Sequence, residues 1–321
     1  MRKWIVSAFA LFATIAGAPA QDAAWPQRQV VVVVPFTAGG TTDLFGRIFA
    51  QAMQQAYGTP FVVENKAGAG GTVGAASVAR AAKDGYTLLV GTASTHAIGP
   101  FVFKNPGYDA ERDFQTVSLF ALVPNLLVVT PKVPAKTVPE FIAYAKANAG
   151  KLSYGTSGVG SSQHLAAELF QIMTGTKMSH VPYRSSGEIV NALAGGHIDL
   201  SFDNMTLAWP QAQAGTVRAL GVTSPQRSPT APDVPAIAET LPGYDASTWH
   251  GLFAPAGTPR ALVEKMAGDV KRIYETPEVQ AKLKEIGAVP SPMTPDRFAE
   301  FGAAERKRYQ EIVKAAGLQP Q

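Results

Sequence analysis

A chain of 321 residues, 46% apolar and 16% charged, is globular and carries enough hydrophobic material for two cores. Its formal charge of +4 is too small to suggest a nucleic-acid partner. With no cysteine, disulfides, thiol catalysis and thiolate metal sites are all excluded.

The first twenty residues, "MRKWIVSAFALFATIAGAPA", read as a signal peptide. Arg2 and Lys3 precede a short apolar stretch, and Ala18 and Ala20 supply the small residues of a cleavage site before Gln21. The stretch falls short of the ~20 apolar residues that a membrane span needs. Removing Arg2 and Lys3 leaves 26 basic against 24 acidic residues, a net charge of +2 for a soluble protein expected in the periplasm.

After the leader, strand-like and helix-like segments alternate. The apolar run 29–35 is followed by a helical pattern from 41 to 58, in which Leu44, Ile48, Met53 and Tyr57 fall near one face. A strand at 60–65 leads through a glycine cluster into an Ala-rich helix at 72–82, and 86–91 reads as a third strand. Uniformly apolar strands between helices imply a mostly parallel sheet covered on both faces. At 114–131 two apolar runs meet at Pro124-Asn125 with no helix between them, the mark of a strand leaving one unit for another.

A second alternating series follows: helix 137–148, strand 152–156, helix 161–174, strand 178–183, helix 185–195, strand 198–203, a short helix and strand 217–222. Residues 224–243 hold five prolines and read as an irregular connector. A return strand at 247–257 precedes helices near 259–274, 277–287 and 295–316. The order fits an α/β protein of two units, residues 21–123 plus 246–321 and residues 124–245. Two crossings between them would hinge a ligand cleft. A single larger doubly wound domain is the alternative.

Three glycine loops each follow a strand and open a helix: "PFTAGGTTD" (35–43), "NKAGAGGTVG" (65–74) and "GTSGVGSSQH" (155–164). Helix starts at the carboxyl ends of strands favour anions, and glycine lets a ligand approach the backbone. None has the lysine of a phosphate-binding P-loop. The second misses the dinucleotide spacing by one position, and Ser157 is not flanked as a nucleophile elbow requires. A single such glycine most simply serves a turn or close packing; three hydroxyl-flanked loops in matching positions favour an anion site.

Five histidines (96, 164, 180, 197 and 250) lack metal-ligand spacing, so no cofactor or metal is expected. His164, at a helix start, is either a ligand contact or structural, and His197 reads as a surface turn. Asp43 most simply complements its helix dipole. Asp203 and Asn204 end a strand at a ligand-facing position, where Asp203 would repel an anion unless a water, hydroxyl or ammonium lay between. Arg184 either pairs with a carboxylate or caps a surface. Phe36, Phe101, Trp249 and Phe253 are candidate cleft-edge rings or core residues.

The ordered set "VVPFTAGGTTD", "VENKAGAGGTVGAASVARAAKDGYTLLVGTASTHAIGP", "YGTSGVGSSQHLAAELF", "HVPYRSSGEIVNALAGGHIDLSFDN" and "GLFAPAGTP" resembles the Bug/TctC family, the periplasmic receptors of tripartite tricarboxylate transporters. The resemblance spans essentially the whole mature chain. It implies a two-domain, type II periplasmic-binding-protein fold that closes on a carboxylate, with membrane transporter subunits as partners and a monomeric receptor. Carried onto this sequence, the family's ligand loops point to Phe36, Thr37, Ala38, Gly39, Gly40, Thr41 and Asp43, and to Thr156, Ser157, Gly158, Gly160, Ser161 and Ser162. Ser94, Thr95 and Asp203 lie nearby in the same implied site. The identity of the acid does not follow from the resemblance. A ligand sensor is the alternative within the same binding module. A hydrolase would need a nucleophile and base, for which Ser161 and His164, three residues apart on one helical face, are the available pair.

Overall fold

The structure is a computed structural model that describes residues 25–320; the expected signal peptide and its cleavage point lie outside the described residues. The chain opens with β1 (Val30–Val34), α1 (Thr41–Tyr57), β2 (Phe61–Asn65), α2 (Thr72–Ala79), β3 (Thr87–Thr92), the short α3 (Gly99–Val102) and β4 (Phe114–Val123). It continues through β5 (Asn125–Val129), α4 (Val138–Ala147), β6 (Ser153–Thr156), α5 (Ser162–Thr174), β7 (Ser179–Pro182), α6 (Ser186–Ala194), β8 (Leu200–Asn204), α7 (Met205–Gln213) and β9 (Arg218–Val222). It closes with β10 (Thr248–Pro255), α8 (Arg260–Tyr274), α9 (Pro277–Glu285), β11 (Val289–Pro290) and α10 (Pro295–Ala315).

Two sheets result, in the orders β11-β4-β10-β3-β1-β2 and β7-β6-β8-β5-β9. The valine run of β1 explains its interior place in the first, between β3 and the edge strand β2. Alternate side chains of a strand point to opposite faces, so Val32 and Val34 pack on Phe45, Phe49 and Met53 of α1. Val33 packs on Ala75 and Val78 of α2. Both faces of the second sheet are likewise covered, by clusters around Phe141 and Phe170 on one side and Ile189 and Met205 on the other.

The sheets are mixed, not mostly parallel. β1 pairs in parallel with β2 and β3, and β6 with β7 and β8. The strands that enter or leave a unit, β4, β10 and β5, pair antiparallel. A chain crossing directly from one sheet to the other has no helix with which to reverse its direction, so its strands must run against their neighbours. Pro124, which has no N–H to donate, separates the two ladders at the first crossing.

The two crossings are tied to each other. Asn125 N donates to Thr223 Oγ1 at 2.7 Å, and Asn125 Nδ2 donates to Ala246 O at 3.0 Å. Helix α10 holds the return crossing from outside: Trp249 Nε1 donates to Glu305 Oε2, Arg308 Nη1 to Asp245 O and Tyr309 Oη to Ser247 O. The proline-rich connector is irregular except for a short 3-10 turn at Ile237–Glu239, and the Arg227–Glu239 pair fastens it with two bonds of 2.7 and 2.8 Å. Four short features fall outside the sequence expectations: a 3-10 turn at Ala69–Gly71, a π turn at Ser94–Ile98, α3 and the two-residue β11. None is long enough for periodicity to register.

Close approach of α2 to the chain leaving β1 fixes the first loop. A Cβ on Gly74 would lie 2.7 Å from Lys66 O and 2.8 Å from Pro35 Cα, both backbone atoms that cannot swing aside. Gly74→Ala is therefore expected to cost about 1–3 kcal/mol of stability in urea titration. A variant as stable as the parent would show that this packing does not set the loop.

Candidate functional site

A cleft between the two sheets collects the ends of β3, β10 and β8 and the starts of α1, α5 and α6. Its surface is mostly hydroxyl. From the first sheet come Phe36, Thr37, Gly40, Thr41 and Thr42, then Thr92 and Ser94, then Thr248 and His250. From the second come Ser157, Ser162, Gln163, Arg184, Ser185, Ser186 and Asn204. Arg184 supplies the cleft's one guanidinium.

The first loop is pinned from behind by a buried carboxylate. Asp43, in the first turn of α1, accepts bonds on Oδ2 from Gly39 N at 3.0 Å and Arg47 Nε at 2.8 Å. Its Oδ1 accepts from Asn65 Nδ2 at 2.9 Å, and the same nitrogen donates to Phe36 O at 3.0 Å. Burial raises the Asp43 pKa, but the bonds from Arg47, Gly39 and Asn65 outweigh it and hold the carboxyl below the usual range. Gly40, the N-cap of α1, has no side chain to satisfy the first-turn N–H groups, which leaves them for an anion. Asn204 likewise leaves the start of α7 without a side-chain cap. The two uncapped helix starts meet where Thr41 Oγ1 and Thr206 Oγ1 lie 2.6 Å apart. Thr37 Oγ1 donates to Arg184 O at 3.2 Å, a second bond across the cleft.

On the other wall Gln163 organises the surface. Its Oε1 accepts from Ser157 N at 3.0 Å and Ser157 Oγ at 2.5 Å, which fixes the amide orientation. Its Nε2 donates to Asp203 Oδ1 at 2.6 Å and Ser186 Oγ at 3.1 Å. Ser186 Oγ and Asn204 N also donate to Asp203 Oδ1, at 2.7 and 2.8 Å. Asp203 is wholly buried behind these cleft residues, and its Oδ2 has no partner among the described residues. Burial raises its pKa against the bonds from Ser186, Gln163 and Asn204.

Several expected site residues serve the frame instead. Ala38 and Gly39 shape the turn but do not line the cleft. Thr95 is buried beneath Thr92, whose N–H donates to Thr95 Oγ1 at 2.9 Å. Thr156 Oγ1 lies 2.6 Å from His180 Nε2, and Gly160 is buried. Ser161 caps α5, accepting from His164 N at 3.2 Å. That bond runs through the backbone: the His164 ring stacks on His180 at 4.4 Å, and its Nδ1 takes Gly160 N at 3.4 Å. Ser161 and His164 do not form a nucleophile–base pair, because capping and stacking consume both side chains. Trp249 and Phe253 are core, since alternation along β10 turns them away from Thr248 and His250. Phe101 packs on the same core, and only Phe36 of the four rings reaches the cleft.

Sequence reasoning missed Thr92, Gln163, Ser185, Ser186, Thr248 and His250 as cleft residues. Thr92, at the carboxyl end of a parallel strand, carried a usable signal. His250 did not, because its position depends on the antiparallel register with Thr92.

Comparison with known proteins identifies this architecture. The model of the tripartite tricarboxylate transporter family receptor, TctC, matches residues 45–318. The chain belongs to this family. It is 34% identical to the protein BugT of Bordetella pertussis, over 98% of this chain and 97% of BugT. A solved structure from R. palustris, Rpa4515 with adipate, superposes with a TM-score of 0.90 at 40% identity, covering 92% of this chain and all of that one. MatC from Rhodopseudomonas palustris, with bound malate, gives 0.85 at 35% identity, covering 90% of this chain and 100% of that one. The fold of this TctC-family chain is thus the two-domain α/β fold of periplasmic binding proteins.

Burial also sets how stability depends on pH. His96 and His250 are pushed down to about 3 and His164 to about 4, each chiefly by burial, so all three stay neutral in the folded protein. The unfolded chain takes up those protons below about pH 6.5, the ordinary histidine value. Stability is therefore full above that pH and falls as pH drops towards the folded values, on the order of 1.4 kcal/mol per pH unit for each group. His180 is likewise pushed down to about 4, so Asp203, shifted the opposite way, is a single group against four histidines. Thermal melts should lose roughly 5 °C or more between pH 7.5 and 5; a flat profile would contradict neutral burial. Asp203→Asn should steepen this dependence, its stability relative to the parent rising with pH, because burial raises the parent carboxyl's pKa and opposes its ionisation.

Proposed function

We propose that this protein captures a small carboxylate in the interdomain cleft and delivers it to the membrane subunits of a tripartite tricarboxylate transporter. In this reading residues 1–20 export the chain to the periplasm. Residues 21–123 plus 246–321 and residues 124–245 are the two jaws, hinged at the paired crossings. The protein works as a monomeric receptor without catalysis or cofactor.

The observation that carries the reading is the uncapped start of α1 at Gly40, facing a hydroxyl-lined cleft that holds one guanidinium. Backbone N–H groups and the helix dipole suit one carboxylate there, with the Ser162 hydroxyl facing it from the second jaw. Family membership supports the same ligand class, since two solved relatives hold adipate and malate. Against a hydrolytic reading stands the geometry of His164, whose ring stacks on His180 and takes the Gly160 N–H on Nδ1, while its only bond to Ser161 is through the backbone.

A thermal-shift screen of organic acids, with adipate and malate among them, should find a stabilising ligand. At a hundred times its dissociation constant it adds ~2.7 kcal/mol. Gly40 has φ −86°, an angle open to proline, so Gly40→Pro removes one N–H without straining that residue. Calorimetry on the folded variant should show binding weakened at least about tenfold, as for a lost bond to a charged group. Parent-like affinity would place the carboxylate elsewhere.

A further inference from the structure

The glycine loop at 65–74 takes no part in the hydroxyl-lined cleft, yet it builds a second chamber joined to it. Phe36, Thr37, Ser157 and Arg184 line both spaces and form the neck between them. Four successive residues, Gly68, Ala69, Gly70 and Gly71, have φ of 147°, 44°, 61° and 96°. This left-handed run lays bare backbone along the floor, at a cost that Ala69 in particular makes plain. No side chain fits beneath it: a Cβ on Gly70 would meet Val159 O at 3.0 Å, and one on Gly71 would meet Thr95 Cγ2 at 2.7 Å. Ala67, Phe103, Val159 and Tyr183 complete largely apolar walls.

The two chambers differ greatly in size. The inner one encloses about 40 Å³, the outer about 540 Å³. The inner space suits a compact polar head such as a carboxylate, whereas the outer one has room for a larger body. Anything attached to that carboxylate has to leave through the neck.

Resting on the carboxylate-receptor reading, we propose that the cognate ligand is an extended acid with an apolar body. Its head occupies the inner chamber. A chain longer than four carbons, or a ring, passes between Phe36 and the stem of Arg184 into the outer chamber, where the glycine floor allows close contact. This gives the second glycine loop a role in selecting ligand length. It also separates this protein from a receptor that encloses a compact, doubly charged acid.

The test is calorimetry with straight-chain monocarboxylates from acetate to octanoate. Affinity should rise about two- to fourfold with each methylene once the chain passes the neck, as expected for partial to full burial of each group. Ala67→Trp, at the exposed lip of the outer chamber, should flatten that slope. Val159→Asp, on the facing wall, is a second variant with the same expectation. Affinity independent of chain length, or an unchanged slope in both variants, overturns the proposal while leaving carboxylate capture intact. If no acid in the series or in the wider screen stabilises the protein, the receptor reading itself fails, and this inference with it.

Discussion

Each wall of the cleft is held from behind by a buried aspartate, and the rest of the site depends on that pair. Asp43 ties Gly39, Asn65 and Arg47 into one clasp, so the first loop cannot relax and cover the start of α1. Asp203 gathers Gln163, Ser186 and Asn204 in the same way on the second wall. The two are not equivalent. Asp43 has a cation beside it in Arg47, whereas none of the bonds made to Asp203 comes from a charged group. A carboxylate that organises donors without a counter-ion keeps its neighbours in place at an electrostatic cost, and that cost is tolerable where the geometry serves binding.

Motion of one wall against the other is constrained by how the chain crosses between the sheets. Asn125, Thr223 and Ala246 bond across the two crossings, so neither strand can shift alone. Helix α10 adds a brace to the return crossing through Glu305, Arg308 and Tyr309. At the cleft itself the walls are joined by hydroxyl and carbonyl groups, Thr41 to Thr206 and Thr37 to Arg184. A typical neutral bond contributes only ~0.5–1.5 kcal/mol net, because water replaces it on opening. The crossings are therefore the firm joint and the cleft contacts the weak one, the distribution a clamp requires.

Much of this was legible in the sequence because local rules and tertiary packing agree. The valines of β1, the starts of α4, α6 and α10, and the proline-rich connector each sit within a residue of where the pattern puts them. Strand direction was not legible, since an apolar strand reads the same whichever way its neighbour runs. The loops were located correctly, but the roles within them were not. Ser161 and Ser162 are chemically alike and adjacent, yet one caps α5 and the other faces the cleft. A single residue's offset at a helix start decides that, and no pattern in one sequence encodes it. Gln163 was missed for a related reason. Its importance lies in joining Ser157, 6 positions away, to Asp203, 40 positions away, and only the fold brings the second of these to it.

These charges also bear on how the cleft discriminates among anions. Arg184 brings one positive charge to the lining, Asp43 is already matched by Arg47, and burial raises the pKa of Asp203 behind the second wall. A single cation gives only a modest preference for a higher ligand charge. Hydrogen-bond geometry is left to decide. Ser157 and Ser186 commit their hydroxyl protons to Gln163 and Asp203, so towards the ligand those oxygens offer lone pairs. The donors left for a carboxylate come from the backbone at Gly40, from Arg184 and from lining hydroxyls that make no other bond among the described residues, Thr42, Ser94 and Ser162 among them. A head group with three or more charged oxygens on one centre would have to set one of them towards Ser157 or Ser186, where it would go unpaired. A carboxylate has two, and can turn both towards the donors. The site is thus selective less through the charge it supplies than through the acceptors it places on the far side.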